Sequence, residues 1–141
     1  VSLALFSEEV LKDAVSEKDQ PDFYTVTSVA ELERLLSDAR SDEQPVILDF
    51  YADWCTDCLR MEKTTFSNLQ VRTVLNRFRL LKIDVTDPSD PVGKTIKQHY
   101  GVYGPPALLF FDAQGQEASA KRLYGYLDPN RFLSLLKTLR I

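Results

Sequence analysis

The 141-residue sequence predicts an α/β fold in which a central mixed sheet of four to five strands carries helices on both faces. Three observations predict it. Residues 45–51 and 107–111 are almost wholly apolar runs, as strands covered on both faces must be. Helix-start signals recur between β-branched and aromatic stretches: Ser28 with Glu31, Asp90 with Pro91, and Asp128 with Pro129. The order that results, β-α-β-α-β-α-β-β-α, alternates strand and helix before it closes on a hairpin.

Along the chain, residues 1–21 read as a linker or interdomain arm, with an apolar start and a short helix beginning near Ser7, and residues 22–141 as the folded domain. Residues 23–26 are β-branched and aromatic, a short strand. A capping box at Ser28 opens a helix that puts Val29, Leu32, Leu35 and Leu36 on one face and fades near Arg40. After the strand at 45–51, residues 59–63 and 68–76 have helical character, and 79–85 return as a strand. Asp90-Pro91 starts a helix that Gly101 stops, and Gly104-Pro105-Pro106 leads into the strand at 107–111. A turn at residues 112–115 reverses the chain toward an antiparallel partner around 121–124. The last helix carries Phe132, Leu133, Leu135, Leu136 and Leu139.

Composition narrows the function classes. With 44% hydrophobic and 27% charged residues, one domain can bury a core without metal or disulfide staples. The net charge is −4 and the basic residues are scattered, which excludes a nucleic-acid interface built on phosphate neutralisation. The longest apolar run, Ala107 to Phe111, is far shorter than the roughly 20 residues that cross a bilayer. A start at Val1 without a leader pattern is expected of a processed chain or of a piece of a longer protein.

The two cysteines, Cys55 and Cys58, are too close to staple a fold, because the loop they close is trivial. They lie where the strand at 45–51 passes into a helix, so Cys55 stands at the helix N-terminus and Cys58 one turn inside. Free amides and the positive end of the helix favour a thiolate at Cys55, and the thiolate is the attacking species in disulfide exchange. Cys58 is near enough to resolve the mixed disulfide. A zinc site would need four ligands, and the one further imidazole, His99, reads as a solvated helix residue, so no metal is expected.

Asp49 interrupts the apolar strand six residues before Cys55. Buried, it would stay protonated near neutrality and could take the proton of Cys58; the alternative is a carboxylate facing outward at an edge. Glu62 follows Cys58 by four residues and could share its helix face as a second carboxylate, or be an ordinary exposed charge. Negative charge from Asp49, Asp57 and Glu62 opposes the thiolate. Pro106, entering a strand, is a candidate cis-proline, with a merely rigid loop as the alternative.

Residues 51–58 (Tyr-Ala-Asp-Trp-Cys-Thr-Asp-Cys), with Asp49 upstream and Pro106 before an apolar strand, resemble the thioredoxin superfamily across residues 22–139. More narrowly, residues 48–55, 61–66 and 109–117 look like the C-terminal domain of the bacterial thiol:disulfide interchange family DsbD. That resemblance implies a thioredoxin-like fold and a protein-disulfide reductase with no cofactor beyond its own dithiol. It implies a periplasmic soluble domain of an inner-membrane protein. Electrons would come from the membrane-embedded domain and go to the N-terminal domain of the same protein, or to other disulfide proteins. A role in cytochrome c biogenesis and a monomeric state are further expectations. The family's roles fall on Cys55 as exposed nucleophile, Cys58 as resolving thiol, Asp49 and Glu62 as carboxylates tuning cysteine pKa, and Pro106 as the cis-proline facing the disulfide. Trp54, Tyr103 and Pro105 would surround the partner. The other readings are a free-standing thioredoxin-like reductase, a non-catalytic binding module using Trp54, Tyr103 and Pro105, and delivery of a soft metal ion by the dithiol.

Two positions depart from the superfamily pattern. Thr56-Asp57 replaces Gly-Pro between the cysteines and adds a charge. Pro105 stands where the superfamily lends a partner both backbone N–H and C=O, and proline has no N–H to lend. Partner complexes should lack one hydrogen bond, worth roughly 0.5–1.5 kcal/mol. Pro105→Ala is therefore expected to tighten them in a trapped-complex titration, and unchanged or weaker affinity would count against this account.

Overall fold

The protein is described by a computed structural model over residues 20–139, so the arm and short helix expected before residue 20 lie outside the described residues. Five strands form one sheet in the order β1-β3-β2-β4-β5. They are β1 (Tyr24–Thr25), β2 (Val46–Tyr51), β3 (Arg79–Asp84), β4 (Ala107–Phe111) and β5 (Leu123–Tyr124). The first three run parallel, β4 is antiparallel to β2, and β5 is antiparallel to β4. The helices are α1 (Val29–Ser41), α2 (Thr56–Arg60), α3 (Leu69–Leu75), α4 (Pro91–Tyr100) and α5 (Pro129–Thr138). This is the expected mixed α/β sheet, with β2 at its centre.

Local chemistry sets the helix starts. Ser28 Oγ accepts from Glu31 N–H at 3.0 Å, and the Glu31 carboxylate reaches back to Thr27 N–H at 2.7 Å, one residue earlier than the usual box. Asp90 and Asp128 cap α4 and α5 through the amides of Val92 and Arg131, each ahead of a proline. Gly101 ends α4 at φ 66°, a left-handed conformation that glycine adopts without strain.

Side chains alternate across β2 and divide the core in two. Val46, Leu48 and Phe50 meet Leu32 and Ala39 of α1 and Ile96 of α4. Ile47, on the other face, joins Leu108 and Phe110 of β4 with Phe66, Val71, Leu75, Phe132 and Leu136. By the same alternation Asp49 belongs to this second face.

Three elements depart from the sequence expectation. The helix expected at 59–63 starts at Thr56, and from Met61 to Phe66 it continues as a π-helix. Thr65 Oγ1 donates to Leu127 O at 2.6 Å, and Met61 Sδ accepts from Leu127 N–H at 3.4 Å, so the wide turn is fastened to the loop before α5. The first strand is confined to Tyr24–Thr25, with Val26 N–H donating to Lys82 O at 2.9 Å beyond it, and Phe23 packs against the ring of Phe66, 5.4 Å away between centroids. The strand expected around 121–124 is confined to Leu123–Tyr124. Here Glu117 grips Arg122 with both carboxylate oxygens, at 2.6 and 2.9 Å, and folds Ser119–Lys121 into a 3₁₀ turn.

Phe132 is fully buried and meets Phe66 edge-on at 5.8 Å, tying α5 to the π-helical segment. Phe132→Ala is expected to lower the unfolding free energy by roughly 3–5 kcal/mol. Urea denaturation checks this as a drop in midpoint at unchanged slope.

Candidate functional site

At the end of β2 the chain turns through Ala52, Asp53 and Trp54 into α2, and Cys55 is the residue that caps this helix. Cys55 and Cys58 form a disulfide with Cα atoms 5.2 Å apart. Cys58 N–H donates to Cys55 Sγ at 3.1 Å. One amide is thus aimed at the sulfur that would carry charge when the bond opens, and the helical run from 56 to 66 adds its dipole. The expectation of an exposed Cys55 is corrected: Cys55 is 6% and Cys58 4% accessible. Both belong to the cluster that holds Phe50, Ala52 and Val85. What distinguishes the two is therefore the amide on Cys55.

The Pro105–Pro106 bond is cis, as the sequence suggested for Pro106. Pro106 shares a crevice of roughly 10 Å³ with Asp49, Cys58, Met61, Phe66 and Leu108. That volume matches a single water. The carboxyl of Asp49 and the inner cysteine thus line one small space under the cis-proline.

Asp49 lies on the central strand, 6% accessible, so the edge alternative fails. Burial pushes its pKa up to about 7, against the attraction of Lys82 and with the help of repulsion from Glu62. Lys82 is the register partner of Asp49 on β3. Its ammonium is 3.1 Å from Glu62 Oε2 and 4.4 Å from the ring centroid of Tyr51. Tyr51 is itself pushed up to about 12, first by burial and then by its hydrogen bond to Asp53. Glu62, four residues after Cys58, lies in the π-helical segment as a second carboxylate near Asp49. Its carboxylate is turned to Lys82 and acts on Asp49 through its charge.

Around the disulfide, Trp54 is 61% and Tyr103 100% accessible, and Pro105 and Pro106 are half-buried. His99 is exposed on α4 and packs edge-on against Tyr100 at 4.7 Å. Among the described residues no three His, Cys, Asp or Glu gather as a metal set would. No helix there is long and apolar enough to cross a membrane.

A model of the thioredoxin-like domain matches residues 32–140. The chain belongs to this thioredoxin-like family. It is 41% identical over 143 aligned positions to the thiol:disulfide interchange protein DsbD of Klebsiella pneumoniae, covering 97% of this chain and 23% of that protein. It is 46% identical over 112 positions to DsbD of Pseudomonas fluorescens, covering 79% of this chain and 19% of that protein. The chain thus spans about a fifth of the length of these relatives. Among solved structures, the DsbD C-terminal domain of Neisseria meningitidis superposes with TM-score 0.71 oxidised and 0.72 reduced, at 28% identity over 83% of this chain and all of that one.

Within this thioredoxin-like site the sequence reading missed Lys82, Tyr51 and Thr86. Lys82 carried a signal: it is the central charged residue of a strand that pairs in parallel with the strand holding Asp49. Tyr51 reads as an apolar strand residue, and Thr86 lies in a loop with no pattern of its own.

An unperturbed aspartate titrates at 3.8 and the folded Asp49 at about 7, so between these values the native state holds a proton that the unfolded chain has lost. Stability therefore falls as pH rises from about 4 to about 7 and levels off above. Asp49→Asn removes this dependence. Relative to the parent, the variant is expected to gain on the order of 4 kcal/mol between pH 4 and pH 8, measured by urea denaturation of the oxidised proteins. Parallel curves would mean that Asp49 is ionised in the fold.

Proposed function

We propose that this chain is a thiol–disulfide oxidoreductase domain that works as a reductant within a longer DsbD-like protein. The observation that carries the reading is the Cys55–Cys58 disulfide, with its amide-capped outer sulfur and with Asp49 lining the crevice at its inner sulfur. In the reduced domain, the Cys55 thiolate attacks a partner disulfide, forming a mixed disulfide and releasing one partner thiolate, which takes up a proton. Cys58 then gives its proton to the Asp49 carboxylate and attacks Cys55 Sγ, which closes the Cys55–Cys58 bond and expels the second partner sulfur as a thiolate. Two electrons pass to the partner, whose two thiolates take their protons from water while Asp49 keeps the proton of Cys58. A carboxyl titrating near 7 suits both accepting that proton and returning it on the next reduction.

The dithiol is the only redox group this scheme uses, and no metal or further cofactor enters it. The relatives are four to five times longer than this chain, which favours a tethered domain over a free-standing thioredoxin. On that basis a membrane-embedded domain of the same protein re-reduces the disulfide, an N-terminal domain or another disulfide protein accepts the electrons, and the domain works as a monomer in the periplasm. Trp54, Tyr103, Pro105 and Pro106 flank the approach to the sulfurs.

Cys58→Ser is expected to accumulate a mixed disulfide between Cys55 and a disulfide substrate, visible by non-reducing electrophoresis and mass. Cys55→Ser should abolish turnover. The potential of the pair, titrated against dithiothreitol or glutathione, is expected between about −270 and −200 mV. A value near −120 mV would mark an oxidant, and full function in Cys55→Ser would leave a binding module.

A further inference from the structure

In the loop between β3 and α4, Thr86 makes two hydrogen bonds to the segment before Cys55. Its hydroxyl oxygen accepts from Asp53 N–H at 2.9 Å. Its main-chain carbonyl accepts from the indole Nε1–H of Trp54, also at 2.9 Å. The hydroxyl proton and the main-chain N–H of Thr86 both go to Asp84 Oδ1, so the hydroxyl lone pairs are left to face Asp53. Beside it, Val85 N–H donates to Tyr51 O at 2.7 Å and anchors the loop to the end of β2.

Trp54 is nevertheless 61% accessible. An indole so exposed would ordinarily sample several rotamers, but here its one polar atom is tied to the backbone. The ring is a fixed apolar plate immediately before Cys55. Holding a contact residue in place before binding removes an ordering penalty from the complex.

We propose that Thr86 is the positioning residue that presents Trp54 and the backbone of residues 53–55 to the disulfide-bearing partner. This rests on the exchange function proposed above, and Thr86 acts through Trp54 and Asp53 without touching either sulfur. Thr86→Val keeps the branched shape and removes both hydroxyl bonds, which frees the loop and with it the carbonyl under the indole. Thr86→Ser keeps the hydroxyl.

The test uses a disulfide peptide as substrate and the indole N–H signal of Trp54, the sole tryptophan of the chain. In the parent the indole proton should exchange slowly with water; free exchange there would overturn the proposal before any variant is made. In Thr86→Val the KM is expected to rise roughly 3–10-fold with kcat within about twofold, and indole exchange to quicken. Thr86→Ser should restore both, and in a Trp54→Phe background Thr86→Val should add little. An unchanged KM with unchanged exchange, a loss confined to kcat, or a serine variant no better than valine would each overturn it. Because indole exchange needs no turnover, its outcome stands apart from failure of the exchange function, which would show as activity surviving Cys55→Ser.

Discussion

A carboxyl group placed in the middle of a closed sheet is the constraint around which the rest of this molecule is arranged. Asp49 sits on the central strand, on the face it shares with Ile47, 6% accessible and lining the small crevice under Pro106. An isolated carboxylate there would be costly, and the fold meets the cost partly by protonation and partly by charge. Lys82 is brought opposite by the parallel register of β2 and β3, and Glu62 holds the ammonium at 3.1 Å. Were Lys82 bonded to Asp49 alone, the carboxyl would be drawn toward ordinary acidity and lose its use near neutral pH. Burial holds Asp49 at about 7 against the pull of Lys82, and the charge of Glu62 adds to the rise.

The π-helical stretch carries Glu62 to this cluster. A regular helix from Thr56 would carry Glu62 on around its axis at 100° per residue. The wider turn from Met61 to Phe66 changes that angle. It places Glu62 over Lys82 while Met61, Thr65 and Phe66 remain buried. The loop after β5 fixes the widening: Leu127 bonds to Met61 and Thr65, Tyr126 shares a hydrogen bond of 2.7 Å with Thr64, and Arg60 stacks over the Tyr126 ring at 3.9 Å. Residues far apart in sequence thereby set the electrostatics beside the disulfide.

This division explains what could be read from the sequence. Apolar runs, caps and the glycine stop are local signals, so β2, β4, α1, α4 and α5 were legible. Cys55, Cys58, Asp49 and Pro106 were legible because each breaks its local pattern, a polar residue in an apolar strand or a cysteine at a strand-to-helix junction. Lys82 was not singled out because its meaning lies in strand register, which no local pattern states. Glu62 was legible as a carboxylate near the cysteines, but its ion pair with Lys82 was not, because that contact is tertiary and no helical spacing states it. Thr86 gave no signal at all, since its bonds cross 32 and 33 residues of sequence.

The charges near Cys55 bear on the direction of electron flow. A dithiol becomes a strong oxidant's reduced form when its thiolate is heavily stabilised, by several amides, a histidinium or a free cation. Here a single amide, that of Cys58, is aimed at Cys55 Sγ. Lys82 is engaged with Glu62, and Arg60 lies on the ring of Tyr126. Asp53 and Asp57 flank the cysteine in sequence, and Asp84 accepts from Thr86, which in turn accepts from Asp53 N–H. Each adds negative potential where a thiolate would form, so the reduced state gains little stabilisation and gives up its electrons readily. Such acidic surroundings favour the disulfide as the product of the reaction, which is the bias that the proposed reductant role requires.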